Sequence, residues 1–135
     1  MAGFDRLSAA LLALLVSAQA AMAGERLWAD CRTCHAVTAP DGTVWARGGR
    51  SGPDLYAISG RPAAADGDFA FYSPAMRAAG AAGLRWSEDN FVAYLANPDQ
   101  FLRAVTGDPQ ASAEMHVQIG QGGREIYQYL RSLSQ

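Results

Sequence analysis

The chain of 135 residues contains no lysine, and only two of its residues are cysteine. All eleven cationic side chains are therefore arginines, against thirteen acidic ones, and the formal net charge is -2. A protein that binds nucleic acid carries a surplus of positive charge to neutralise phosphates, so this composition excludes that class of partner. Any cationic docking patch must be built from arginine, which prefers bidentate contacts with carboxylates.

Long apolar runs are also scarce, and the one clear run lies at residues 7–16. It follows Arg6 and precedes a small-x-small triplet at 21–23, the pattern of a signal-peptidase site. We therefore expect residues 1–23 to be a cleaved signal peptide and residues 24–135 to be one domain exported to the periplasm. An uncleaved anchor is the alternative, but roughly 20 apolar residues are needed to span a bilayer.

The two cysteines lie three apart in the stretch CRTCH at residues 31–35, which allows three kinds of chemistry. A structural disulfide between Cys31 and Cys34 would close so small a loop that it removes little entropy from the unfolded chain. A thioredoxin-like redox pair should open a helix after a buried strand, whereas the preceding GERLWAD is polar and typical of a helix.

The third chemistry uses every residue of the motif. On a helical turn Cys31, Cys34 and His35 project from one face, because they are separated by three and four positions. The two thiols can each add to a vinyl group of one porphyrin, and the imidazole can reach its iron. C-x-x-C-H is the attachment signature of c-type haem, so we predict one covalent haem c bound through Cys31 and Cys34.

Helix signals dominate the rest of the chain, and strand signals are few. We predict helices at 25–34, from Ser87 to just before Pro98, and at about 123–133. Long loops rich in glycine and proline are expected at 38–53, 59–67 and 97–111. So small a domain with such loops buries little apolar surface, and a large flat cofactor would make up the shortage.

Several motifs, in this order, resemble the class I (mitochondrial-type) cytochromes c. They are GERLWADCRTCH, GPDL at 52–55, GR at 60–61, YSPA at 72–75, the pattern from Trp86 to Asn97-Pro98, and a last helix containing IYQYL. The resemblance covers residue 24 to the C-terminus. It implies an all-α, small cytochrome c fold with three main helices and long loops around one covalently bound haem.

The resemblance also implies roles for individual residues. The carbonyl of Pro53 would accept a hydrogen bond from His35, the first iron ligand. Arg61, Tyr72 and Trp86 would hold the haem propionates. Packing of the first helix on the last would bring Leu27 and Trp28 against Tyr129 and Leu130.

Three residues after the signal segment are candidates for the second iron ligand: Met76, Met115 and His116. Met76 lies in the helix-like SPAMRAAG and is expected to fill the core. Met115 lies where the ligand methionine of the family lies, and we expect it to bind the iron. The segments 36–51 and 99–113 are longer than the family pattern, and the first suggests an added loop near the exposed haem edge, where partners dock.

Imidazole and thioether ligands leave no open position on the iron, so we expect an electron carrier and not an enzyme. Methionine ligation also raises the reduction potential relative to two histidines. The expected partners are redox proteins that donate and accept electrons, and the expected state is a monomer. The alternatives are a haem subunit of a larger redox complex, or a haem protein whose labile sixth ligand lets small molecules bind.

Overall fold

The computed structural model describes residues 4–134, in which five α-helices and one two-stranded sheet surround a single core. The helices are α1 (Phe4–Leu27), α2 (Pro74–Ala81), α3 (Glu88–Ala96), α4 (Pro98–Thr106) and α5 (Gly123–Ser132). The strands are β1 (Val37–Thr38) and β2 (Val44–Ala46), which pair antiparallel. The all-α prediction is confirmed, but the described residues form five helices where three main ones were expected.

Helix α1 corrects the prediction of a first helix at 25–34. The α-helix begins near the N-terminus and ends at Leu27, and a short 3-10 turn at Trp28–Asp30 leads into the cysteine motif. The side chains of residues 6–19 are exposed. The helical segment Arg6–Asp30, which combines most of α1 with this turn, is long and apolar enough to cross a membrane, with a mean hydropathy of 1.8. An N-terminal signal sequence meets the same criterion.

The end of α1 crosses α5, as the resemblance implies. Gly24 is buried at the crossing, where a side chain would meet Glu125 and Tyr129. The rings of Trp28 and Tyr129 lie 6.4 Å apart, and Ile126 of α5 is completely buried. The packing of α1 on α5 therefore fixes the position of the chain just before the cysteine motif.

Helix α4 lies in a segment that was predicted as a loop at 97–111, so that prediction is wrong for residues 98–106. Pro98 was interpreted as the end of the preceding helix, but it occupies the first turn of α4, where its missing N–H costs nothing. The side chain of Asn97 caps α4 by accepting a hydrogen bond from the Gln100 N–H at 3.1 Å. Gly107, with φ of 71°, ends the helix in the left-handed conformation.

Helix α2 and the small sheet complete the fold. Ser73 caps α2 by accepting a hydrogen bond from the Met76 N–H at 3.0 Å, which confirms the helical prediction for SPAMRAAG. The sheet occupies part of the predicted loop at 38–53. Its buried residues Val37 and Ala46 face each other, so the chain returns towards the cysteine motif after β2.

Candidate haem-binding site

The cysteine motif folds into successive hydrogen-bonded turns. The N–H groups of Cys34 and His35 both donate to the Cys31 carbonyl, at 3.1 and 3.0 Å. These i+3 and i+4 bonds are those of a helical turn, so the three side chains project from one face as predicted. Both thiols are free, with Cys31 buried and Cys34 half-buried. Burial raises the pKa of the Cys31 thiol to about 11, since it disfavours the thiolate.

The ring of His35 is fixed by the carbonyl of Pro53, which lies 2.7 Å from Nδ1. A carbonyl only accepts hydrogen bonds, so Nδ1 carries the proton and Nε2 keeps its lone pair. Burial lowers the pKa of His35, because it disfavours the imidazolium. A neutral ring with a free Nε2 is the form in which histidine binds a metal.

The segment 48–52 packs directly on this turn. The N–H of Gly49 donates to the Arg32 carbonyl, and that of Gly52 donates to the Cys34 carbonyl, both at 2.8 Å. A Cβ atom at Gly52 would lie 2.7 Å from Nδ1 and 2.9 Å from Nε2 of His35. Glycine is therefore required at position 52, because the backbone approaches the ring closely.

Arg61 is a cation without a carboxylate partner among the described residues. Its guanidinium donates to the carbonyls of Tyr56 and Asp54, at 2.7 and 2.8 Å, while its buried Nε has no partner there. A buried charge is costly unless it is paired. The arrangement fits an anionic group of a cofactor, such as a haem propionate.

Tyr72 joins the same network through two aspartates. Its hydroxyl oxygen accepts a hydrogen bond from the Asp66 N–H at 3.1 Å, and a carboxylate oxygen of Asp66 accepts one from the Asp54 N–H at 2.9 Å. Burial raises the pKa of Tyr72, so the hydroxyl stays protonated and can donate to an anion. Asp54 also carries the carbonyl that binds Arg61, which links the two predicted propionate contacts.

Trp86 lies beside Arg61 because their backbones pair. The Trp86 N–H donates to the Arg61 carbonyl at 3.0 Å, and the Gly60 N–H donates to the Trp86 carbonyl at 2.7 Å. The indole is buried, and it stacks on Phe101 with ring centres 6.1 Å apart. The structure thus brings Arg61, Tyr72 and Trp86 to one region of the molecule.

The three candidates for the second iron ligand differ in their surroundings. Met76 is buried in the first turn of α2, within the core. Met115 is half-buried against the core, in an irregular segment between α4 and α5. His116 is exposed. Both residues at 115 and 116 line a cavity of about 170 Å³.

Sequence reasoning missed the aspartates that organise the site. Asp54 accepts hydrogen bonds from the Thr38 and Tyr56 N–H groups, at 3.1 and 2.8 Å, and Asp66 accepts from the Asp68 N–H at 3.1 Å. Two of these are Asx turns, in which an aspartate binds the amide two positions on, and such local turns have a sequence signal. The hydrogen bonds between distant positions, such as that from the Thr38 N–H to Asp54, have no such sequence signal.

A larger cavity lies away from this site, between α5 and the N-terminal part of α1. It measures about 750 Å³ and is lined mostly by residues between 9 and 21. Since that segment is the expected signal peptide, the cavity would disappear on its removal.

These groups together fit a c-type haem. Two free thiols and a neutral imidazole share one face of a turn, and the Arg61 guanidinium, which has no carboxylate partner among the described residues, is linked through Asp54 and Asp66 to the Tyr72 hydroxyl. The donor set matches both the covalent attachment and the charge of that cofactor.

No protein-family profile matches the chain. It is 42% identical over 112 residues to the cytochrome c-551 of Roseobacter denitrificans, which covers 83% of this chain and 79% of that protein. It is 36% identical over 132 residues to the cytochrome c2 of Rhodobacter capsulatus, which covers 94% and 96%.

Solved structures agree with these relatives. The cytochrome c2 of Rhodobacter capsulatus superposes with a TM-score of 0.80 at 35% identity, over 84% of this chain and 97% of that one. The cytochrome c2 of Rhodobacter sphaeroides superposes with a TM-score of 0.78 at 37% identity, over 82% and 93%.

The expected resemblance and the small cytochrome c fold are therefore confirmed. The predicted cofactor, one covalent c-type haem attached through Cys31 and Cys34, is confirmed with them. On its sequence relatives and its fold, the chain belongs to the class I cytochromes c.

Proposed function

We propose that this protein is a periplasmic electron carrier whose haem iron is held by His35 and Met115. Bound haem supplies reversible one-electron chemistry. The chain contributes the iron ligands, a partner for the propionate charge, and an interior that keeps water away. Redox proteins that donate and accept the electron are its expected partners, and no residue acts as an acid, base or nucleophile.

The observation that carries this proposal is the hydrogen bond between His35 Nδ1 and the Pro53 carbonyl, at 2.7 Å. It selects the tautomer that leaves Nε2 free for iron. It also makes the imidazole a stronger electron donor, because the carbonyl withdraws the proton on the far nitrogen. The backbone at Gly52 lies against the ring and restricts its rotation.

Met115 is favoured as the second ligand by elimination among the three candidates. Met76 is buried in the core at the first turn of α2, and His116 is exposed to solvent. Met115 is half-buried and belongs to a segment without regular secondary structure, where a side chain can face a cofactor. A thioether ligand favours the ferrous state and gives a higher potential than a second imidazole would.

Arg61, Tyr72 and Trp86 are proposed to hold the propionates. The guanidinium supplies the compensating charge, and charge-assisted hydrogen bonds are the stronger kind. The Tyr72 hydroxyl adds a donor, and the Trp86 ring closes the region against Phe101. The network through Asp54 and Asp66 holds these groups in place.

Visible spectroscopy combined with a redox titration of the matured protein tests this function. We expect one reversible one-electron couple, a spectrum of low-spin haem with histidine and methionine ligands, and slow binding of carbon monoxide to the ferrous form. Rapid binding of carbon monoxide would contradict a firm Met115 ligand and favour a haem protein that binds small molecules. Haem lost from the denatured chain would contradict covalent attachment.

The N-terminal segment decides how the carrier is held in the periplasm. We propose cleavage after residue 23, which leaves a domain of residues 24–135. The alternative is an uncleaved helix that anchors the domain to the membrane; the length and hydropathy of α1 meet that requirement and equally fit a signal sequence. Intact mass of the protein purified from its periplasm distinguishes them, since an anchored form would keep the first 23 residues and would partition with membranes.

A further inference from the structure

We propose that Asp99 and Arg103 of α4 are positioning residues that hold the segment carrying Met115. The inference rests on the proposed role of Met115 as an iron ligand. It concerns residues 111–118, an irregular stretch between α4 and α5.

Two side chains of α4 reach the start of this stretch. A carboxylate oxygen of Asp99 accepts a hydrogen bond from the Ala113 N–H at 2.7 Å, and Arg103 Nε donates to the Ala111 carbonyl at 3.0 Å. Residues 99 and 103 are one helical turn apart and share a face of α4. Both alanines are 3% exposed, so this part of the stretch is packed against the protein.

The backbone of the stretch has few other ties. Within the described chain, the peptide groups of residues 112–118 form no backbone hydrogen bond, and the Asp99 bond is the single side-chain bond that they receive. The next backbone bond joins the Ile119 N–H to the Leu95 carbonyl at 2.7 Å. Met115 therefore lies between two hydrogen-bonded positions, Ala113 before it and Ile119 after it.

Helix α4 is a rigid support for the hydrogen bond at Ala113. It is capped at both ends, by Asn97 and Gly107, and Leu102 on its inner face is completely buried. Asp99 lies in its first turn and Arg103 in its last, where the helix dipole favours an anion and a cation respectively. Hydrogen bonds with a charged partner are the stronger kind, so these two bonds restrict the stretch more than neutral ones would.

Asp99 also borders the space into which the ligand segment would move. The cavity of about 170 Å³ is lined by Asp99, Met115 and His116, together with Pro98 and Gln118. Loss of the Asp99 bond would free the Ala113 amide and let the segment shift into this cavity. The Met115 side chain would then leave the iron more often, and the iron would bind added ligands faster.

The test uses the matured, haem-loaded protein and two probes, carbon monoxide for the ferrous form and imidazole for the ferric form. For Asp99→Ala we expect the rate of carbon monoxide binding and the affinity for imidazole to rise by about 10-fold to 100-fold, the effect of losing one charged hydrogen bond. Asp99→Asn keeps an acceptor oxygen and should stay within about threefold of the wild type. Arg103→Gln should show a smaller rise, since the Asp99 bond remains.

Asp108→Ala is the matched control. Asp108 lies in the same connection, and its carboxylate accepts from the Gln110 N–H at 2.8 Å and makes no hydrogen bond to α4. Its backbone N–H donates to the Thr106 hydroxyl at 3.3 Å, a bond that the alanine variant keeps. Amide hydrogen exchange gives a second readout, in which the protection of Ala113 should fall in Asp99→Ala and not in Asp108→Ala.

Met115→Ala separates failure of this inference from failure of the proposed function. If Met115→Ala opens the iron to both probes while Asp99→Ala and Arg103→Gln bind them like the control, the positioning role is wrong and the ligand role stands. If Met115→Ala itself binds them no faster than the wild type, Met115 is not the ligand and both proposals fail. A lower melting temperature with unchanged ligand binding would show that Asp99 only stabilises the fold. If Asp99→Ala does not load haem, Arg103→Gln decides the question: faster ligand binding than in Asp108→Ala supports the positioning role, and binding like that of Asp108→Ala overturns it.

Discussion

Gly52→Ala tests the packing that holds His35. The added Cβ would lie 2.7 Å from Nδ1 and 2.9 Å from Nε2, closer than any stable contact between carbon and nitrogen. The ring and the segment around Gly52 must therefore separate. The same movement would lengthen the 2.7 Å bond from Nδ1 to the Pro53 carbonyl.

The size of the effect follows from these two changes. Overpacking a filled site costs about 1–3 kcal/mol. Loss of a hydrogen bond adds about 1 kcal/mol. We expect the free energy of unfolding to fall by about 2–4 kcal/mol, which lowers the melting temperature by on the order of 10–20 °C for a domain of this size. The reduction potential should rise, because the imidazole loses the partner that strengthens its donation to iron.

Thermal melts followed by circular dichroism, together with a redox titration, measure both quantities. Gly120→Ala is the control, since a Cβ there meets no atom within 4 Å. If the two variants melt at the same temperature and have the same potential, the close approach of Gly52 to His35 is refuted.

Three further predictions concern the rest of the site and the core. Arg61→Gln should lower the free energy of unfolding by about 1–3 kcal/mol and lower the reduction potential, because the proposed propionates lose a cation. Arg131→Gln, at an exposed position, is the control and should change neither the melting temperature nor the potential. Burial raises the pKa of Tyr94, so the fold favours the protonated phenol. The contribution of Tyr94 to the free energy of unfolding is complete below a pH of about 10 and declines as the pH rises. Tyr94→Phe should flatten that decline in melts from about pH 8 to 11. Met115→Ala should admit carbon monoxide and lower the potential, whereas Met76→Ala should cost about 2–5 kcal/mol of stability with the spectrum unchanged; the reverse pattern would move the ligand role to Met76.

The chemistry of the cysteine motif could be predicted from local sequence. Cys31, Cys34 and His35 are close in the chain, and their spacing on a helical turn places their side chains together whatever surrounds them. The last helix was predicted at 123–133 and lies at Gly123–Ser132, because its apolar positions repeat with the helical period. The haem prediction needed nothing beyond these local features.

Element boundaries near proline and glycine were harder to predict. Pro98 suits both the end of one helix and the first turn of the next, and only the capping bond of Asn97 shows that a new helix begins. The sheet at 37–46 was missed because two strands of two and three residues carry no detectable alternation. The tertiary packing of the buried side chains of Val37 and Ala46 determines that these two strands form.

The tertiary structure alone decided how distant residues meet. His35 and Pro53 are 18 positions apart, and Tyr72 joins Arg61 through two aspartates whose partners cannot be inferred from spacing. Asp99 and Ala113 meet only because α4 exists, and α4 was expected to be a loop. Such bonds form when packing brings buried polar groups together and each must find a partner, a condition that depends on the whole fold and not on any local stretch.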